Sequence, residues 1–568
     1  MSIRKRLLES SGVGVAVFAI STLPTLPAAA ATFTNFTPVV NNSFLVPETD
    51  HFFNSYNQPS VNDRGLVVFR ARSQGGGGGQ PSTGIFIRDM LGLGPIDVVA
   101  TRNRLVPDPN STGVTFNEFP SFPRIDSESD MLAFRGQSQP VWEYQLPDGT
   151  ESRAGTSGVF TTDPTNTLMT GVNQLGFLEG FEYFSVPGES AGTKFDQFPG
   201  APSPTDSNTI VFKGNWTDTT DPGNPTGQTG VYFRNVLTAS GEAPVQKIAD
   251  SKTIIPGSPK NTVFGSTAPP SAALGKAVFL GVDNEANPTE GGLYYSSLLN
   301  DPTLLTTIIA LNTDVVSDDG SKQPITRIGE AVSFDGKHVA FWGALGNETR
   351  PITLTCPTEG NQARVEYCKE QYPDGFKTEV PARQGLFLAN LATAETRLVV
   401  ETGEKFSDFL FWNFSGRPPG VGEGEVEDDD GLELARWRST SFLAVDGGSL
   451  VFKGLKTSGV EGLYAALSLG TPIETIVETG MMGNVLDPAA ANLPIVGIGI
   501  ERDGFRHKHL AFNASMADGE SSWAGIYYTR ATPAQIPTPA LLPGLIGMGI
   551  ATLKKRYTDR RQAGGPIL

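Results

Sequence analysis

The side chains able to do chemistry are few and scattered. Four histidines occur, His51, His338, His507 and His509. His507 and His509 are two apart, so on a strand they would face the same way. Two ligands without a nearby third make a poor metal site. Aspartates recur at Asp63, Asp126, Asp206, Asp335, Asp446 and Asp503, several beside glycine. That neighbourhood predicts tight turns, in which the carboxylate accepts from backbone two residues on; a ring of catalytic carboxylates is the alternative. Ser317-Asp318-Asp319-Gly320 and the run Glu423 to Asp430 are rich in oxygen ligands. They would suit Ca²⁺, although neither has EF-hand spacing, and a solvated loop is the simpler reading. There is no Ser nucleophile elbow and no HExxH. The glycine run Gly75–Gly79 lacks the Lys and Ser/Thr of a phosphate loop and reads as a hairpin tip. The expectation is therefore a chain with no catalytic, cofactor-binding or metal residue, and not an enzyme.

Cys356 and Cys368, the only cysteines, have the wrong spacing for CxxC chemistry and are expected to form a structural disulfide.

The elements that would position such residues repeat. Two apolar residues and a Phe recur as Val67-Val68-Phe69, Leu132-Ala133-Phe134, Ile210-Val211-Phe212, Ala277-Val278-Phe279, Val339-Ala340-Phe341, Leu450-Val451-Phe452 and Leu510-Ala511-Phe512. Each is followed by Gly, an aliphatic and an aromatic, from Gly84-Ile85-Phe86 through Gly292-Leu293-Tyr294 to Gly525-Ile526-Tyr527. Both elements have strand composition, so each pair predicts a hairpin. An earlier strand ends in an Asp/Gly turn and a later one follows, as at Ile96-Asp97-Val98-Val99-Ala100. Four strands per unit and seven units make the predicted fold class all-β, a seven-bladed β-propeller occupying residues 32–535. A β-solenoid and tandem β-sandwiches are the alternatives. The seventh unit lacks a fourth strand before the C-terminal motif begins. The stretch Val39 to Pro47 matches the fourth-strand segment of the first unit and is expected to close the ring. The hairpin of the fifth unit carries the longest insert, 343–384, with the cysteine pair, and its face is the expected partner-binding face.

The formal charge is −17, and discounting residues 1–31 and 536–568 leaves −23 on the body. Such a surface repels phosphate backbones and excludes nucleic acid as a partner.

The two ends read as addresses. Arg4-Lys5-Arg6, an apolar run from Val13 to Leu26 and Ala28–Ala31 have the layout of a cleaved signal peptide over 1–31. At the other end Pro537, Thr538, Pro539 and Ala540 precede a 14-residue apolar stretch and the basic stop Lys554, Lys555 and Arg556. Residues 536–556 resemble the PEP-CTERM class of bacterial sorting tails, in its cyanobacterial Pro-Thr-Pro-Ala variant; a short tail, 557–568, departs from that pattern. The resemblance implies an exosortase-type membrane transpeptidase as partner. It also implies a transient inner-membrane anchor through an apolar helix, and then delivery to the cell surface or extracellular matrix. The expected role is a surface-displayed binding or interaction protein, with an extracellular polymer as partner. The alternatives are a propeller enzyme acting on polysaccharide or phosphoester, which needs paired carboxylates in the axial channel, and a purely structural matrix component.

Overall fold

A computed structural model describes residues 31–533, apart from 76–80, 108–112, 139–141, 146–150, 155–156, 239–241, 359–361, 416–435 and 468–471 and positions 164, 222 and 491. The signal-peptide and sorting-tail readings, and most of Gly75–Gly79, lie outside the described residues. Among the described residues no helix is long and apolar enough to cross a membrane.

Residues 32–532 form one unit, built among the described residues on seven antiparallel sheets of four to six strands, with two-stranded hairpins inserted. In the first blade the inner strand is split into Phe53–Tyr56 and Ser60–Val61, followed outward by Leu66–Ser73, Thr83–Asp89 and Ile96–Thr101. The other sheets repeat this order, and the short inner segments touch one another in sequence around the axis, the seventh meeting the first. This is a closed seven-bladed β-propeller, which removes the solenoid and sandwich alternatives.

The repeat now has a physical meaning. In every blade the repeat Phe lies directly across from the repeat aromatic, as in Phe69↔Phe86, Phe212↔Tyr232 and Phe512↔Tyr527. Their ring centroids are 5.7, 6.0 and 6.1 Å apart. Successive side chains of a strand point to opposite faces. The aromatic pair therefore packs on the preceding blade while the neighbouring aliphatics pack on the following one. Phe69 and Phe86 join Ala511 and Ile526 of the seventh blade, whereas Val68 and Ile85 join Leu132 and Phe134 of the second. The core is thus a set of apolar seams between blades. The glycine two residues before the aromatic makes room for its ring: a Cβ on Gly230 would stand 2.6 Å from the Tyr232 hydroxyl.

Ring closure uses the N-terminal segment, as expected, with shifted bounds. Thr37–Asn41 pairs antiparallel with Ser522–Arg530 as the outer strand of the seventh blade. Phe44 to Pro47 lies beyond that strand, in the connection to the first blade.

The turn aspartates do more than bend the chain. Asp126 of the second blade accepts from the Ser207 amide of the third (2.9 Å), Asp335 from Gly447 (2.8 Å) and Asp446 from Lys508 (3.2 Å). Each clasps the turn of the next blade, at the end of the ring opposite the repeat hairpins. His507 and Lys508 correct a reading of the sequence: both have positive φ (46° and 68°) and form the two-residue turn itself. His507 is exposed while His509 is buried, hydrogen-bonded through Nδ1 to the Tyr528 hydroxyl at 2.5 Å.

Candidate functional site at the propeller axis

The inner strands are broken midway, and the breaks bring polar residues to the axis. Proline marks four of them, at Pro59, Pro120 with Pro123, Pro199 with Pro202, and Pro269 with Pro270. Without an N–H, proline cannot continue a ladder. This second repeat, with buried Phe119 and Phe198 preceding its prolines, is too short to register as strand pattern.

One end of the axis is plugged by charge. Asp503, the exception among the recurring aspartates, lies in the turn Glu501–Gly504 ahead of the last inner segment, with its carboxylate between two arginines of different blades. Its carboxylate takes Nε of Arg124 and Nη2 of Arg506. Arg124 also donates to Pro270 O (2.9 Å) and Ser271 Oγ (3.1 Å), and Arg506 to Val445 O (2.6 Å) and Phe334 O (2.8 Å). Burial alone would raise the Asp503 carboxyl, but Arg124 and Arg506 outweigh it and hold it below the usual carboxylate range. Four inner strands and the second-blade arginine are tied by this one carboxylate.

Toward the hairpin side lies a layer with spare hydrogen-bonding capacity. Glu501 Oε1 stands 3.2 Å from Arg502 Nε and 3.7 Å from Arg124 Nε without an aligned hydrogen bond. Arg502 donates to Pro269 O (3.3 Å). Burial pulls its guanidinium down, and the carboxylates of Glu501, Asp503 and Glu330 oppose that pull. Glu330, in the fifth-blade break, is open to solvent. Lys213 follows the repeat Phe of the third blade; burial lowers its ammonium below the usual lysine range, against Glu330 and Glu285. Glu330 therefore lies within electrostatic reach of both Arg502 and Lys213, groups from three blades. In four blades further buried atoms are unmatched: Arg70 Nε, Asn117 Oδ1, Asn215 Oδ1 and Asn513 Oδ1 have no hydrogen-bond partner among the described residues. Buried polar atoms are normally matched, and these have capacity left for water or a ligand.

The other residues singled out in the sequence do not converge here. Cys356 and Cys368 are joined by a disulfide with Cα atoms 5.8 Å apart. It fastens the helix Gln362–Gln371 within the fifth-blade insert, whose strands Thr349–Leu354 and Phe376–Pro381 form a hairpin. Tyr372 and Phe376 of that insert pack on Phe414 and Trp437, from a hairpin inserted in the sixth-blade inner strand. Asp319 in the first acidic loop caps the Ser321 amide (2.8 Å) and pairs with Arg383 (3.4 Å); the run 423–430 lies outside the described residues. Among the described residues no group of three or more His, Cys, Asp or Glu is placed to hold a metal. The axial residues escaped the sequence reading because Arg124 and Asp503 are 379 positions apart and Lys213 sits inside a strand repeat.

No protein-family model and no curated protein matches the chain. Among solved structures it is similar to the β-propeller domain of the Trilobed protease from Pyrococcus furiosus, at 10% identity and a TM-score of 0.36, covering 87% of this chain and 99% of that one. It is also similar to the Pyrococcus horikoshii acylaminoacyl peptidase, at 9% identity and a TM-score of 0.37, covering 85% and 53%. The Trypanosoma rangeli sialidase matches at 9% identity and a TM-score of 0.29, covering 95% and 64%. The chain spans about half the length of the acylaminoacyl peptidase. The expectation of a non-catalytic chain is corrected at this point. Against that expectation, the solved structures named above are a protease's propeller domain, a peptidase and a sialidase.

Proposed function

We propose that this chain is an exported β-propeller that cleaves a surface glycan at the hairpin side of its axis. One observation carries the reading: two carboxylates of different environment act on the same Arg502, buried Glu501 at 3.2 Å and solvent-exposed Glu330 through space. Glycoside cleavage uses such a pair, one group transferring the proton and the other facing the positive charge that develops on the sugar ring. Glu330, reachable by substrate, takes the proton-transfer role, and Glu501 the electrostatic one. The plug beneath keeps the inner strands from shifting. Assays of the purified full chain against a panel of aryl glycosides test this. Glu330→Gln is expected to lower kcat at least 100-fold with an unchanged melting temperature. Equal turnover by wild type and E330Q, or no turnover of any glycoside, removes the proposal.

Location is part of the same reading. The layouts of residues 1–31 and 536–556 support export, a transient membrane anchor and transfer by an exosortase-type transpeptidase to a surface or matrix acceptor. Mass spectrometry of the protein from its native host is expected to find a chain beginning near Thr32 and ending before Leu541. A mature chain that still carries Leu541 to Arg556 would show an uncut anchor instead.

A further inference from the structure

Lys213 differs from the other axial cations. Arg124 and Arg506 are saturated by Asp503 and backbone carbonyls, and Arg502 reaches Pro269 O and Glu501. At the position equivalent to Lys213 in the sixth blade, Lys453 is paired with Glu461 at 2.9 Å and lies 4.0 Å from the Phe411 ring centroid. Among the described residues Lys213 has no hydrogen bond and no ion pair, although it is only partly exposed and flanked by buried Phe212 and Gly214. Glu330 and Glu285 act on it only through space. Two residues along the same strand face, Asn215 has an unmatched amide oxygen. Its register is fixed, because Lys213 pairs with Val231 in a ten-residue ladder. An ammonium in a semi-buried place, with two carboxylates acting on it through space and an unmatched amide oxygen two residues along its strand, has an obvious complement. That complement is a ligand with one anionic group and several hydroxyl donors.

We propose that the axial site takes an acidic sugar, whose carboxylate docks on Lys213 while its hydroxyls donate to Glu330 and the Asn215 amide oxygen. The inference rests on the glycan reading above and narrows it to acidic sugars. A sulfate ester offers the same oxyanion chemistry, and the experiment separates the two. Calorimetric titration of the full chain would use a glucuronate-terminated trisaccharide, its methyl ester, and a sulfated trisaccharide of equal length. The glucuronate probe is expected to bind, and to lose at least tenfold in affinity on methyl esterification or in Lys213→Met. Lys213→Arg is expected to stay within about threefold, which shows that charge and not local packing is read. Lys276→Met, whose amine reaches Gly336 O on the clasp side, should bind as wild type does. Lys213-dependent binding of the sulfated probe alone keeps the anion and overturns the carboxylate. Equal affinity for acid and methyl ester, equal affinity in K213M, or no binding of either charged probe overturns the inference. Turnover of a neutral glycan unaffected by K213M would leave the proposed activity standing without the acidic sugar. Lys213-dependent binding without turnover of any glycoside would do the reverse.

Discussion

Asp503 and His509 show how single side chains hold this ring and how acid would loosen it. Asp503 neutralises two buried guanidiniums, so Asp503→Ala leaves both uncompensated. A loss of about 3–5 kcal/mol is expected in urea unfolding. A loss below about 1 kcal/mol would show that the plug is structurally idle. His509 works through pH. Burial first, with Arg530 and His507 adding to it, lowers its imidazole from 6.5 to about 4. The folded protein therefore keeps His509 neutral where the unfolded chain protonates it. The stability from this residue is complete above about pH 6.5 and is lost as pH falls toward 4. Each unit of depression corresponds to about 1.4 kcal/mol, so the total is of order 3 kcal/mol. His509→Gln should flatten the pH dependence of the melting temperature within that window, while an unchanged slope would assign it to the carboxylates. Neither role was legible in the sequence. Asp503 shares its residue type with five turn aspartates, and His509 shares the next-but-one position with a turn histidine. What separates them is the partner: an arginine from the second blade for Asp503, and a tyrosine on the adjacent strand for His509.

At the scale of elements, legibility followed local pairing. The second and third strands of each blade are hairpin partners with matched aromatics, such as Phe341↔Phe387 and Phe452↔Tyr464. Their pattern therefore survives in the linear chain, even where Phe341 and Gly385 are 44 positions apart. The inner strands are short, interrupted by proline and paired on one edge only, so their residues carry no alternation to read. The closing strand was legible because Asn41-Asn42-Ser43-Phe44-Leu45-Val46 echoes Thr101-Arg102-Asn103-Arg104-Leu105-Val106. Its contribution is large for five residues. Val39 and Val40 are fully buried, and Arg88 of the first blade donates to Val39 O at 2.6 Å. Removing residues 32–50 is expected to cost about 5 kcal/mol or more, from lost apolar burial and a bared Ser522–Arg530 edge. Chemical denaturation of the purified chain checks this, and undiminished stability would mean the strand is ornamental. The disulfide acts on a smaller unit. Cys368→Ser should make the insert around Gln362–Gln371 quickly cut by protease while the midpoint of global unfolding barely moves.

For the whole molecule, the blades are joined three times over: by apolar seams, by aspartate clasps at one end and by the axial plug. The ring should therefore unfold as one cooperative body. Fluorescence from Trp216, Trp342 and Trp523, which stand in three different blades, is expected to change at the same urea concentration as far-ultraviolet circular dichroism. Separate midpoints would mean the blades melt piecemeal. The seventh sheet adds a matter of timing. Its outer strand, Thr37–Asn41, is among the first parts of the ring made by the ribosome, and its partner Ser522–Arg530 is among the last. Until the final hairpin emerges, the early strand has nothing to pair with, and the nascent molecule stays unlatched. Under the export proposed above, such a delay would keep the chain open until it has crossed the membrane. A chain cut short before Ser522 cannot latch at all, which leaves incomplete copies open to proteases.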